Sequence, residues 1–142
     1  MARISRGAIL RRAIETCIRP DDDALAKLGE LFHDDVAVWS PNLLAVGLVD
    51  LAENLEFREM AFSDVDVQID ALDVFANKGF AEFRVAATFS GPFVIGKEVA
   101  IEPNGHRLLL GAAAVAEFKG GKIKALRAYF DDATLLEQMA AA

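Results

Sequence analysis

One cysteine, Cys17, is all the thiol chemistry in the chain, which excludes an intrachain disulfide and a cysteine-built metal cluster. Its spacing to Ala13 and Leu10 reads as one side of a helix, so Cys17 is expected to be a core residue and not a nucleophile. No metal and no cofactor is expected. No run approaches the roughly 18 consecutive apolar residues of a membrane span, so no membrane partner is expected either. Basic residues are also scarce, 15 against 22 acidic ones for a net charge of -7, and no Lys/Arg cluster dominates; a nucleic-acid partner is not expected. The N-terminus is the one Arg-rich stretch, with Arg3, Arg6, Arg11, Arg12 and Arg19 ahead of Asp21-Asp22-Asp23. Transit peptides are poor in acidic residues and rich in serine. Glu15 and the series Ile4, Leu10, Ile14, Cys17 and Ile18 fit a structural first helix better, and a soluble, cytoplasmic protein is expected.

Repeats, low-complexity tracts and a domain boundary are also missing, which makes residues 1–142 one domain. A chain of this length buries about 68–70% of the surface it exposes unfolded. What it has in excess is apolar volume: 54% hydrophobic residues, with ten phenylalanines beside one Trp and one Tyr. An internal cavity, a subunit interface, or both would absorb that excess.

Residues 4–19 carry apolar positions at three- and four-residue spacings, predicting a helix that Pro20 ends. Asp21 to Asp23 can cap a second helix over about Asp22–Phe32, with Leu25, Leu28, Leu31 and Phe32 on its apolar face. Val36–Ser40 reads as a strand halted by Pro41. Asp50 and Glu53 have capping-box spacing and open a third helix with Leu51, Leu55 and Met60. From Ser63 the period becomes two: Val65, Val67, Ile69 and Ala71 alternate with Asp66, Gln68 and Asp70. Asn77-Lys78-Gly79 turns into a strand over Phe80–Phe89. An irregular connection over Ser90–Asn104 holds an edge segment around Val94–Ile101. The strongest local signal comes last, where Gly120-Gly121 joins two strands into a hairpin. A short helix with a Leu135-Leu136-Met139 stripe follows. Helices segregated from largely antiparallel strands give an α+β fold.

The chain resembles the SnoaL-like polyketide cyclases in several places. They are Leu31-Phe32-His33-Asp34-Asp35 at the end of the second helix, the strand stopping at Pro41, Pro103-Asn104-Gly105-His106-Arg107, Gly121-Lys122-Ile123, and Arg127-x-Tyr129-Phe130-Asp131. These cyclases group with ketosteroid isomerases and limonene epoxide hydrolase in the nuclear transport factor 2 fold superfamily. The resemblance covers nearly the whole chain. It implies a cone-like fold, with a strongly curved mixed or antiparallel sheet wrapped around about three helices of the N-terminal half and a short C-terminal helix. That scaffold hosts isomerases, cyclases, hydrolases and non-enzymatic binders alike, so it carries fold further than function.

Carried over position by position, the catalytic groups of the relatives are mostly missing. A ketosteroid isomerase needs a carboxylate base and two oxyanion donors; the matching positions are Ser40, Thr16 and Ala114. The epoxide-hydrolase arginine corresponds to Arg84, while its carboxylate partners fall on Ala86 and Ala128. Arginine stays protonated and cannot take a proton from water. For a cyclase-like carboxylate or histidine the remaining candidates are Asp131 and His106. Asp131 is also well placed to cap the last helix. His106 sits in a turn, and histidine is a residue type that can act as a base near neutral pH.

The inner side of the hairpin is expected to present Leu110, Ala112, Ala114, Leu126, Ala128 and Phe130, which with Thr16 and Ser40 would line an apolar pocket for a small apolar or polyketide-like molecule. Arg84 is pulled two ways. Alternation against Phe83, Val85, Ala87 and Phe89 sends Arg84 and Glu82 to water, whereas the resemblance sends them into the pocket as a pair. The Phe83, Val85 and Phe89 side would then be the outer face and a homodimer interface, with Tyr129 also at an interface. The functional expectation is ligand binding, with proton-transfer isomerase or cyclase chemistry if a cavity group has a suitable pKa; the alternative is a non-catalytic binding or assembly domain.

Overall fold

A computed structural model of the chain describes residues 4–95 and 99–142; Arg3 and residues 96–98 lie outside them. Ser5 caps the first helix, α1 (Arg6–Ile18), by accepting from the Ala8 amide at 3.1 Å. Leu10 and Ile14 of the expected series are buried, together with Ile9 and Ala13, whereas Ile4 lies ahead of the helix and is exposed. The second helix, α2, is shorter than expected at Ala24–Leu31 and buries Leu28 and Leu31. Leu25 is exposed, because eight residues make only about two turns and one seam. Phe32 already belongs to strand β1 (Phe32–Ser40), which therefore begins four residues earlier than expected.

After the Pro41-Asn42 turn, Leu43–Val46 forms strand β2, antiparallel to β1. That strand was not expected from the sequence. Gly47, at φ 90, caps helix α3 (Leu48–Glu59), so Asp50 lies inside the first turn and not at its cap. The Asp50 carboxylate instead accepts from the Val46 amide at 2.9 Å, tying β2 to α3.

Three long strands follow: β3 (Phe62–Phe75), β4 (Lys78–Phe89) and β7 (Arg107–Lys119). The β3–β4 turn sits at Ala76-Asn77, one residue ahead of expectation, with Ala76 at φ 53. Of the edge segment expected over Val94–Ile101, residues 96–98 are outside the described set; on either side β5 (Phe93–Ile95) and β6 (Val99–Ile101) pair as a small separate sheet. Gly120, at φ 62, makes the expected hairpin turn into β8 (Lys122–Phe130), since only glycine adopts that conformation at little cost. Helix α4 (Asp132–Ala140) closes the chain.

The main sheet runs β2-β1-β8-β7-β4-β3. Every pairing is antiparallel except β1 with β8, so the sheet is mixed and open, with β2 and β3 at its edges. Bulges between Ser63 and Asp66, between Ile69 and Ala71, and at Glu117/Phe118 bend the long strands, because an extra residue on one side increases local twist. Two apolar clusters fill the concave side. The larger joins α1, α2 and α3 to the sheet around Leu10, Leu28, Phe32, Leu51, Phe118 and Ile123. The smaller gathers Ala61, Phe89, Phe93, Leu108, Leu135 and Met139 beneath α4.

Pairing register settles which face is which. Phe83 sits opposite Ala112, and Ala114 opposite Ala128, on the concave side; Arg84 opposite Gly111 and Ala113 opposite Tyr129 are on the convex side. Phe83, Val85 and Phe89 therefore cannot form an outer dimer face, and that expectation is corrected. The convex face instead exposes Trp39, Leu44, Val46, Phe80, Leu109 and Tyr129, with the Trp39 and Tyr129 rings 5.4 Å apart.

Candidate functional site

Where the two apolar clusters fail to merge, the concave side encloses a cavity of about 880 Å³. Phe83, Val85 and Ala87 of β4, Leu108, Leu110 and Ala112 of β7, and Ala128 and Phe130 of β8 form its floor. Leu55 of α3, Cys17 and Ile18 of α1, and Phe93 and Leu135 close it from above. Period-two alternation explains the floor, since every second residue of three adjacent strands points the same way. Small residues at 87, 112 and 128 keep the floor from filling the space itself.

Of the residues expected at a pocket, Ser40, Leu110, Ala112, Ala128 and Phe130 lie in the cavity lining. Ala114 and Leu126 do not: at 3% and 5% exposure they are packed into the larger core, one step further along their strands, where the helices press directly on the sheet. Thr16 is half-buried on α1, but its neighbour Cys17 is the residue that reaches the cavity, because one residue rotates a helix by about 100°. Burial pushes the Cys17 thiol up to about 12, so it stays protonated and inert.

The three side chains singled out for chemistry lie outside the lining. Arg84 is 62% exposed on the convex face and holds Asp70, not Glu82, through Nε and Nη2 at 2.8 Å each. The Ile69/Ala71 bulge gives β3 an extra residue there, which brings Asp70 beside Arg84. That guanidinium holds the Asp70 carboxyl below its usual range. Water-facing alternation was the right reading, and the pocket pair is corrected. Asp131 caps α4: it accepts from the Thr134 hydroxyl at 2.8 Å and the Thr134 amide at 3.2 Å, and these bonds lower its pKa. His106 is exposed in the turn before β7, where its backbone amide donates to Asn104 Oδ1 at 3.0 Å.

A polar group that the sequence reading passed over sits on one wall. Arg58, in the last turn of α3, donates from Nη2 to the Asn42 carbonyl at 2.5 Å and to Asn42 Oδ1 at 2.7 Å. Its guanidinium lies 5.4 Å from the Phe93 ring centre, and a cation at a helix C-terminus is favoured by the helix dipole. Ser40 Oγ donates to Asn42 Oδ1 at 3.2 Å, while Asn42 Nδ2 donates to Asp132 Oδ1 at 3.2 Å. Burial lowers the Arg58 pKa to about 10, and the nearby Asp132 charge pulls partly the other way. Its place was legible in principle: Leu51, Leu55 and Arg58 have i, i+4, i+7 spacing, so Arg58 shares the buried face of α3.

At the mouth the lining turns charged, with Arg19, Glu59, Asp64 and Asp66 all exposed. Asp64 is at φ 48 in the β3 bulge, and its carbonyl accepts from Arg107. Among the described residues no three His, Cys, Asp or Glu side chains are grouped to hold a metal. No described helix is long and apolar enough to cross a membrane.

The family model described as SnoaL-like polyketide cyclase matches residues 8–139. No curated protein matches the chain. Among solved structures, a protein from Jannaschia sp. CCS1 described as a SnoaL-like polyketide cyclase superposes with a TM-score of 0.80 at 12% identity, covering 100% of this chain and 99% of that one. TsrD from Streptomyces laurentii gives 0.75 at 18% identity over 94% and 93%. A protein of ketosteroid isomerase-like fold from Catenulispora acidiphila, solved in complex with trimethylamine, gives 0.73 at 13% identity over 94% and 93%. At these identities the likeness is one of fold.

Proposed function

The chain belongs to the SnoaL-like polyketide cyclase family, and from that premise we propose that it binds a small, largely apolar, polyketide-like molecule in the concave cavity. The observation that carries this reading is the cavity itself. About 880 Å³ is walled mainly by Phe, Leu, Val and Ala side chains, with Ser40, Asn42 and Arg58 together on one wall. Ligand sites commonly combine an apolar lining of this size with a few convergent polar groups. Ala112 lies in the middle of the floor, opposite Phe83 on one side and Phe130 on the other. Ala112→Phe should therefore fill the space and weaken binding of the uncharged probe N-phenyl-1-naphthylamine at least tenfold, read by its fluorescence. Unchanged affinity would put the probe elsewhere and sink the cavity reading.

A second reading adds proton transfer in the same cavity. The observation favouring it is Asp64, a non-glycine residue held at positive φ on the rim, since such strain gathers at functional sites. His106 and Asp131 lie off the cavity lining, so a base would come from the rim carboxylates.

We propose further that the protein acts as a homodimer joined through the convex face. Trp39, Leu44, Val46 and Tyr129 form a contiguous apolar patch there on β2, β1 and β8. Charge at its centre should open the dimer: sedimentation of Tyr129→Glu is expected to give a monomer where the parent chain gives a dimer. A monomeric parent at micromolar concentration would refute the assembly.

A further inference from the structure

Resting on the cavity-binding reading above, the geometry points to a more specific ligand class: we propose that the cavity takes an apolar acid, whose carboxylate is received by Arg58. The guanidinium has five N–H donors. Nη2 is committed to Asn42. The Nε–H and the two Nη1–H groups have no protein acceptor among the described residues, and none of the described ion pairs includes Arg58. The side chain lines the cavity, so the acceptor that would complete its bonding has to enter there. Phe93 covers the guanidinium and Asn42 fixes its orientation, which leaves a cation already positioned and partly stripped of water. Burial has weakened its hold on the proton, and an incoming anion would reverse that. Asn42 accepts from Arg58 and donates to Asp132, so Asp132, the carboxylate whose charge acts on Arg58, is bonded to Asn42 and not to the guanidinium.

Rim carboxylates oppose an anion, but weakly. Asp66 is held by Arg107 at 2.9 Å, and Arg19 also stands at the mouth. Exposed charges are screened by water and salt, whereas a contact to Arg58 inside the cavity is screened much less. Elsewhere in the lining Phe83, Leu110 and Phe130 offer no hydrogen bond, so the rest of the ligand must be apolar.

Calorimetry with 2-naphthylacetate and its uncharged isostere 2-naphthylacetamide tests this. A hydrogen bond to a charged group contributes about 1.5–3 kcal/mol, which corresponds to roughly ten- to hundredfold in affinity. The parent protein should bind the acid at least tenfold more tightly than the amide. Arg58→Gln should bring the acid down to the level of the amide; Arg58→Lys should retain part of the preference. Equal affinities in the parent protein, or an acid preference that survives Arg58→Gln, would overturn the Arg58 assignment. N-phenyl-1-naphthylamine separates the two levels. If it binds while acid and amide are not distinguished, the cavity stands and the acid does not; if it does not bind at all, both readings fall. The parent comparison needs no variant, so it decides even where Arg58→Gln does not fold.

Discussion

Among the described glycines, Gly91→Ala is expected to be the most damaging substitution. A Cβ at residue 91 would lie 2.0 Å from the Met60 carbonyl oxygen and 3.1 Å from its carbon. Both are backbone atoms, so no rotamer change relieves the clash. Nor can the two segments separate freely, because the Ser90 and Gly91 amides both donate to the Ala61 carbonyl at 3.0 Å. Ala61 is fully buried in the smaller apolar cluster. Overpacking costs about 1–3 kcal/mol, and each strained hydrogen bond adds about 1 kcal/mol; together the loss should reach roughly 3 kcal/mol or more. The same displacement would carry Phe93 away from Arg58, so ligand binding should fall along with stability. Gly111→Ala is the control, since no heavy atom lies within 4 Å of its added carbon. Denaturant midpoints measure both. A Gly91→Ala protein within about 1 kcal/mol of the parent would show that the contact between this loop and the end of α3 is not held as described.

The elements that follow from local chemistry were legible in the sequence. Helix α1 shows its stripe in Leu10, Ala13 and Ile14, and the last hairpin shows its turn in Gly120, because periodicity and positive φ are properties of a few adjacent residues. Strand β2 was not legible. Leu43 to Val46 is a four-residue apolar run, and nothing local separates a strand from a loop at that length; pairing with β1 decides it. Alternation in β4 correctly divided Phe83 and Val85 from Glu82 and Arg84. Which set faces inward depends on where the helices pack, and that is tertiary information. The resemblance to distant relatives gave the wrong side. Likewise Ala114 and Leu126 share a face with Ala112 and Ala128, but only the placement of the two apolar clusters shows where the core ends and the cavity begins. Arg58 is the opposite case. Its position in the Leu51-Leu55 stripe was available, and a charged residue on a buried stripe is itself the signal that a partner is needed.

Steroid isomerisation gives the other large effect, as an absence of turnover in a protein whose fold would suggest it. Moving the double bond of a 3-oxo-Δ5 steroid requires a base to take a proton from carbon and donors to hold the developing oxyanion. A missing general base typically costs 10²–10⁴-fold, and one missing oxyanion donor about 10²–10³-fold in kcat. At the positions that would hold these groups stand Ser40, whose hydroxyl donates to Asn42 Oδ1 at 3.2 Å, Thr16, which does not line the cavity, and Ala114, which is packed in the core. A serine hydroxyl without a basic partner does not take a proton from carbon at neutral pH. Arg58 can offer N–H donors to an oxyanion, so one of the two requirements is partly met, but a permanently protonated guanidinium cannot be the base. The rim carboxylates Glu59, Asp64 and Asp66 stand exposed to water at the mouth, and Asp66 is already paired with Arg107. Losses of this kind do not simply multiply, yet the base alone is enough to bring the rate to that of buffer. Absorbance of the conjugated product should therefore show no increase over the buffer rate, even where calorimetry on the same preparation shows that the steroid binds. Turnover that disappears in Asp64→Asn would place a working base on the rim and favour the proton-transfer reading. Turnover that survives Ser40→Ala and disappears in His106→Ala would mean that the turn before β7 folds over the cavity mouth when ligand is bound.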